Sequence, residues 1–465
     1  MNIAVLNGSP KGMTSVTMQY VLFLKKKFPQ HEFTILSVCH DIKRLEEDEA
    51  ALGETIRIVE AADAVLWAFP LYVFLVPGPY KRFIELVLER AAQPAFRGKY
   101  AAVLTTSVRF FDHAAHDYLS AICDDLDMHY VGGFSAEMYD LLKPAERERL
   151  IRFAEQFFET VQRQLPTAKR HEPVRTRSWE YGPCEPEPRI SAKGKKILVL
   201  SDAQAHDANL QRMVARFCRS FADPPEVINL HEVSIRAGCQ GCCHCGFDNQ
   251  CIYREADDVY GIYQKIKAAD IVVEAGAIRD RFLSARWKTF WDRGFFNNHV
   301  PILVGKQIGF LISGPLMQIP NLRQILEASA ELERAGLAGI VTDECGDSRR
   351  LDRLLDQLAR RLIEAAETGY IPPPTFLGKA GHKVLRDEIW AGLRVVFQAD
   401  HKYYKAHGLY DFPRRSLKTR LSDTFYTLLL KIPSFRNEFF KRARTEMIKP
   451  LEKVVEEAST STCVK

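Results

Sequence analysis

No apolar stretch in this 465-residue sequence runs unbroken across the thickness of a bilayer. The longest uncharged segment, AVLWAFPLYVFLVPGPY from Ala64 to Tyr80, carries Pro70, Pro77, Gly78 and Pro79. A membrane helix does not absorb three prolines, so the segment reads as a buried strand followed by a loop. A basic region followed by an apolar leader is also missing, since Met1 leads directly into the strand-like NIAVLNGSP; a cytoplasmic protein is expected. No G-x-G-x-x-G follows a strand-like run, which removes the glycine fingerprint of a dinucleotide fold. An excess of one charge is nearly absent: 64 Lys+Arg stand against 59 Asp+Glu, a net +5. Residues 371–465 hold 18 Lys+Arg and 10 Asp+Glu, or +8, which leaves −3 for everything before. The basic character belongs to the tail, and no nucleic-acid partner is expected.

What is present is a globular composition, 46% hydrophobic and 26% charged, in a chain long enough for two or three domains. Of 11 cysteines, five fall within CQGCCHCGFDNQC, from Cys239 to Cys251. An odd count in a reducing compartment speaks against a disulfide framework and raises metal or redox chemistry. Cys39, Cys123, Cys184, Cys218, Cys345 and Cys463 are isolated, and most read as small buried hydrophobes.

Three pairs of segments repeat in order: NIAVLNGSP from Asn2 with KILVLSDAQ from Lys196, ADAVLWAFPLY from Ala62 with ADIVVEAGAIR from Ala269, and RGKYAAVLTTS from Arg97 with VGKQIGFLISG from Val304. The first pair is offset by 194 residues (196 − 2) and the other two by 207 (269 − 62 and 304 − 97). The second copy has therefore gained 13 residues before its third strand, the length of the cysteine segment (251 − 239 + 1). Runs of Val, Ile and Leu alternate with helical segments such as TMQYVLFLKKKF and DDVYGIYQKIKAAD. That alternation argues for parallel sheets with crossover helices on both faces. The organisation expected is a first α/β domain at 1–165, a linker at 166–194 with Pro166, Pro173, Pro183, Pro186 and Pro188, a second domain at 195–370, and a basic, aromatic helical extension at 371–465.

In an open parallel sheet, ligands sit beyond the carboxyl ends of the strands, and phosphates favour the helix that follows strand one. There the first copy has NGSPKGMTSVT, residues 7–17, with Gly8 for a tight turn, hydroxyls at Ser9, Thr14, Ser15 and Thr17, and a cation at Lys11. The counterpart LSDAQAHDANLQ places Asp202 and Asp207 where an anion would lie, and like charges repel.

The GSPK and SVT of this loop, with PLYVFLVPGPYKRFIE after the third strand and TTSVRFFDHAAHDY after the fourth, resemble the flavodoxin-like NAD(P)H-dependent FMN reductases. The resemblance covers residues 1–165 well and 195–370 more weakly, and it implies two tandem flavodoxin-like, doubly wound parallel sheets. By position it implies that Ser9, Lys11, Ser15 and Thr17 hold the FMN phosphate. Pro70, Leu71, Tyr72 and Val73 would then line the isoalloxazine edge, with Thr106 and Ser107 closing the pocket. Tyr72, Phe110, His113 and His116 are the candidate proton donors or stackers, and Tyr72 and His113 are taken as catalytic. In the second copy AGAIRDRFLSARWKTF replaces the Pro-Leu-Tyr loop with Arg279, Arg281 and Arg286, a set for an acidic substrate, a nucleotide phosphate or a partner's isoalloxazine, or an ion-pair patch.

Cys239, Cys242, Cys245 and Cys251 form C-x2-C-x2-C-x5-C. Four thiolates converging from so short a loop suit a [4Fe–4S] cluster. The same set could hold a structural zinc, although zinc sites built from four cysteines usually separate two knuckles by roughly 12–20 residues. Cys243 is an extra thiol able to replace a neighbour. The spacing also resembles the compact motif of iron-sulfur flavoproteins, which place it between the first and third strands, as here. If the phosphate loop belongs to one half and the cysteines to the other, the cluster must face an FMN across a domain or subunit boundary.

The expectation is an FMN- and [4Fe–4S]-dependent oxidoreductase between a nicotinamide (NAD(P)H) or ferredoxin-type donor and a small organic acceptor, a quinone or another unsaturated compound. Set against it are a zinc-stabilised scaffold on a duplicated fold and a flavin-free carrier using the cluster alone. The tail, with Phe425, Leu428, Phe440 and Ile448 among Lys431, Arg436 and Lys441, suits a homo-oligomer or domain interface or peripheral contact with an anionic membrane.

Overall fold

The computed structural model describes residues 1–186, 189–413 and 416–460; Pro188 and Cys463 lie outside the described residues. The strands, in chain order, are β1 (Asn2–Asn7), β2 (Glu32–Leu36), β3 (Ala64–Pro70), β4 (Tyr100–Ser107), β5 (His129–Glu137), β6 (Ile197–Ser201), β7 (Glu226–Asn229), β8 (Ile271–Arg279), β9 (Phe282–Leu283), β10 (Gln307–Ser313) and β11 (Gly336–Thr342). The first sheet has the order β2-β1-β3-β4-β5 and the second β7-β6-β8-β10-β11, with β9 added to β8 as a short antiparallel hairpin. Every other pairing is parallel. The two sheets thus share one 2-1-3-4-5 order, that of the flavodoxin-like doubly wound fold. The repeated segments are its strands one, three and four, and the order breaks direction at the carboxyl ends of β1 and β3, where a ligand crevice opens.

Each sheet has an outer and an inner face. In β1, Ile3 and Val5 pack outward with Met18, Val21 and Phe157, while Ala4 and Leu6 point into a larger core. That inner core is continuous through both halves, joining Trp67, Phe69, Tyr80 and Phe83 to Trp287, Phe290 and Trp291. The outer face of the second sheet has its own cluster, with Val199, Phe217, Leu355 and Leu362. The Pro-rich connection has no helix or strand among its described residues, yet it inserts Tyr181 fully into that cluster, with its hydroxyl donating to Asp352.

The halves are stitched by two lysine–acid pairs on the helices that follow their third strands, Gly78–Glu89 and Ala285–Arg293. Lys81 donates to Glu85 at 3.0 Å, and Lys288 is paired with Asp292. Each pair also reaches across. Glu85 accepts from the Ala285 amide and Asp292 from the Gly78 amide, both at 2.7 Å, while Lys81 donates to Asp280 at 3.2 Å and Lys288 to the Tyr72 carbonyl at 2.9 Å. Lys81 and Lys288, Glu85 and Asp292, and Gly78 and Ala285 are each 207 residues apart (288 − 81, 292 − 85, 285 − 78), so the contact is reciprocal, as in a two-fold dimer. Gly78 allows the approach, because a Cβ there would lie 2.8 Å from Thr289 Cα.

The chain divides into two compact units, Met1–His407 and Gly408–Lys465. The first takes in the helices Phe376–Glu388 and Gln398–Ala406, so the aromatic segment expected outside the repeat contributes this far to the body carrying both sheets. The second consists of the helices Leu417–Leu429 and Pro433–Thr460 and exposes Phe425, Leu428, Phe440 and Ile448. Among the described residues no helix is long and apolar enough to cross a membrane.

Candidate functional site

Beyond the carboxyl end of β1 the chain must turn in almost no space, since a Cβ at Gly8 would meet Phe69 Cβ at 2.7 Å and the Tyr80 ring at 2.6 Å. Ser9 Oγ then accepts from the Lys11 amide at 3.2 Å, and Ser15 caps the helix Val16–Lys27 by accepting from the Met18 amide at 3.2 Å. Ser9, Lys11 and Ser15 all line one cavity of about 460 Å³, within the range of small-molecule sites. Lys11 has no ion-pair partner among the described residues. A helix N-terminus, two hydroxyls and a free cation make an anion cradle. Thr17 is not part of it: its hydroxyl is buried 2.6 Å from Thr106 Oγ1 and ties the helix to β4.

The third-strand loop forms the next wall. Leu71 donates to the Thr106 carbonyl at 3.1 Å, and Tyr72 and Leu75 exchange two backbone bonds of 2.9 and 3.0 Å around Val73 and Phe74, both at positive φ. Lys288 of the other half fixes this turn through the Tyr72 carbonyl. Pro70, Leu71, Tyr72, Val73, Thr106, Ser107 and Phe110 line the same cavity. Burial, then the charge of Cys239, pushes the Tyr72 hydroxyl far above the ordinary phenol range. His113 is exposed and contributes nothing to the lining. His116 is turned between strands, its Nε2 2.8 Å from Thr105 Oγ1, and burial lowers its pKa.

The cysteine segment lies in the long connection between β7 and the helix Val259–Ala268, where the first half has only the short helix Ile42–Glu47. Arg286 donates to the carbonyls of Leu230 and Val233, both at 2.7 Å, and Arg293 donates to the Ala237 carbonyl at 2.9 Å and to Asp257 at 2.6 and 3.0 Å. So anchored, the segment folds over the first half. A Cβ at Gly241 would fall 2.1 Å from the Tyr72 hydroxyl and 3.0 Å from Lys11 Cε, and Cys239, Gly241 and Cys243 line the same cavity as Ser9, Lys11 and Ser15. On their other side Cys239, Cys242, Cys243, Cys245 and Cys251 ring a second, smaller cavity. Arg293 Nη2 stands 3.7 Å from Cys251 Sγ, and Cys245 Sγ 3.4 Å from Asn298 Oδ1. Burial pushes the Cys239 thiol up to about 12, and the Cys245 thiol is raised by burial and then by the other four sulfurs. All five are free thiols. Among the described residues no three His, Cys, Asp or Glu side chains gather as a single metal ion requires.

The matching crevice of the second half is filled by its own side chains. Asp202, raised by burial to about 7, accepts from Ser284, and Arg279 is bound to Asp207 and lies 2.8 Å from His206 Nε2. Arg281 donates to Asp125 at 2.5 and 2.6 Å, and Arg286 serves the cysteine connection. Of the alternatives for the three arginines, the ion-pair patch is the one these contacts favour for Arg279 and Arg281, while Arg286 is held on two carbonyls; none is set out for an acidic substrate, a nucleotide phosphate or a partner's isoalloxazine.

Residues 1–139 match the family model of NADPH-dependent FMN reductases. The first half is an FMN reductase-like domain. No curated protein matches the chain. Among solved structures, the NAD(P)H:acceptor oxidoreductase FerB from Paracoccus denitrificans is 20% identical and aligns over 35% of this chain and 97% of its own, with a TM-score of 0.28. General stress protein 14 of Treponema denticola, in complex with FMN, is 16% identical over 35% and 98%, with a TM-score of 0.27. An FMN-dependent NADH-azoreductase from Bacillus anthracis, also with FMN, is 13% identical over 35% and 99%, with a TM-score of 0.26.

The cavity extends beyond the FMN reductase-like domain to residues that sequence reasoning passed over. Glu274 of β8, Glu333, which follows the helix Pro320–Leu332, and His299 are in its wall, among Phe74, Phe110, Phe290, Trp291 and Phe295. A charged residue in the midst of the apolar run from Ile271 to Ile278 was the one signal in the sequence for Glu274.

Proposed function

We propose that the chain is an FMN- and [4Fe–4S]-dependent oxidoreductase that passes electrons between NAD(P)H or a ferredoxin-type donor and a small organic acceptor. The observation that carries this reading is that Cys239, Gly241 and Cys243 of the second half and Ser9, Lys11 and Ser15 of the first line a single cavity. When bound, FMN takes up a hydride and releases electrons singly, and a [4Fe–4S] cluster carries one electron at a time.

Two features support the reading, the anion cradle for the flavin and the ring of cysteines for the cluster. Ser9, Ser15, Lys11 and the amides opening the helix Val16–Lys27 would hold the flavin phosphate, and Pro70 to Val73, Thr106 and Ser107 would flank its ring. Tyr72, its proton held by burial, can hydrogen-bond without ionising and is the candidate catalytic side chain; His113, exposed, has no part in it. Cys239, Cys242, Cys245 and Cys251 would ligate the cluster. A cubane takes one thiolate at each of four irons, so its ligands stand around a volume, as these ring the smaller cavity, and not around one point as in zinc. Arg293 beside Cys251 offsets the negative charge gathered there. The exposed apolar side chains of the second unit are where we place contact with a second copy or an anionic membrane surface.

Anaerobic purification followed by iron, sulfide and flavin quantitation tests the reading. About four iron, four sulfide and one FMN per chain are expected. Cys245→Ser should lose iron and keep FMN, while Lys11→Ala should keep iron and bind FMN roughly ten-fold more weakly, a charge-assisted bond being lost. A colourless protein with one zinc per chain would establish the scaffold in its place.

A further inference from the structure

The cavity is lined by more than the residues of the flavin cradle, and its far wall has chemistry of its own. Glu274 Oε2 accepts from Trp291 Nε1 at 3.2 Å, and Glu333 Oε2 accepts from the amides of Ile302 and Leu303 at 2.6 and 3.2 Å. In both side chains Oε1 has no hydrogen-bond or ion-pair partner among the described residues. Nor are these oxygens sealed in protein, because both side chains belong to the cavity lining. His299 lies in the same wall, its Nδ1 2.6 Å from Asp400 Oδ2, which leaves Nε2 without a partner among the described residues. Around these groups stand Phe290, Trp291, Phe295 and Phe397.

Two carboxyls with unused oxygens inside an apolar chamber are costly to keep, and a core serving packing alone would fill these positions with hydrocarbon. Lys267 offsets that cost only for Glu333 and only in part: its charge favours the ionised Glu333, but its ammonium lies 5.5 Å over the Phe296 ring and forms no ion pair within 4.0 Å with either carboxylate. Aromatic faces combined with acceptor oxygens attract an organic cation, the faces through their quadrupole and the oxygens through charge-assisted hydrogen bonds. They repel a carboxylate of the same shape. We infer that the compound taken into this cavity is a flat, apolar organic cation whose nitrogen group is received by Glu274 and Glu333. Burial raises the Glu274 carboxyl to about 8, with Glu333 adding to it, and Glu333 itself to about 7, so near neutral pH the empty pocket holds protons that an entering cation displaces.

This deepens the proposed function by naming the class of the acceptor, and it rests on that reading for the cavity being where the acceptor binds. Calorimetric titration of the intact holoprotein with 2-naphthamidine, 2-naphthamide and 2-naphthoate tests it without turnover, so its outcome is separate from the iron and flavin content. The amidine should bind at least ten-fold more tightly than the amide, and the carboxylate more weakly than either. Glu274→Gln and Glu333→Gln keep an oxygen for Trp291 and for the two amides; each should weaken the amidine about ten-fold and leave the amide unchanged. Equal affinity for amidine and carboxylate, or no binding of any of the three, overturns the inference. So does an unchanged amidine affinity in both variants. Should either variant fail to fold, the order of the three probes on the unmodified protein decides alone.

Discussion

Glutamates 274 and 333 show how a single side chain can run against its surroundings. Glu274 interrupts the hydrophobic sequence of β8, and its charged form is disfavoured by the protein around it. Because the folded chain holds this proton more tightly than the unfolded chain does, the stabilisation is complete below the ordinary carboxylate range. It is lost progressively as pH rises to about 8. Thermal melts of the ligand-free protein should therefore fall between pH 5 and pH 9 more steeply in the native sequence than in Glu274→Gln; parallel slopes would refute it. At this scale the sequence was only partly legible. Ser9, Lys11 and Ser15 stand where a loop before a helix should put them. Thr17, two residues further on, faces β4, because a helix turns its side chains by about 100° per residue and spacing alone does not fix which of neighbouring hydroxyls faces the ligand.

Among the elements, the helices after the third strands do the most to position the site. Lys288 is fully buried, paired with Asp292, and donates to the carbonyl of Tyr72, so one ammonium both joins the halves and sets the turn beside the cradle. Lys288→Met leaves Asp292 as an uncompensated buried charge and should cost about 3–5 kcal/mol. Urea unfolding would measure this, together with weaker FMN retention as the Tyr72 turn loosens; a variant as stable as the parent would contradict the role given to the pair. The helices and their 207-residue offset could be read from the repeat. That their lysine–acid pairs reach across to each other's helix could not, because a repeat says that two surfaces are alike and not that they meet.

In the whole molecule the two sheets share one inner core, from Trp67 and Phe83 to Trp287 and Phe290. Residues 1–407 should accordingly unfold in one step. Tryptophan replacements leaving only Trp67 or only Trp287 as reporter should give the same urea midpoint; midpoints well apart would show two independent domains. The sequence disclosed two copies of one fold because strand periodicity is local. It pointed to the cysteines of one copy facing the cradle of the other, but did not disclose whether they do so within one chain or between two, since that depends on how the sheets pack. Gly241 settles the matter within the structure: it has no room for a side chain because it presses on Tyr72 and Lys11. The cradle of the first half is thus roofed by a segment coded more than two hundred residues downstream. A fragment ending at residue 139, however well it matched its family, would be a vessel without its lid.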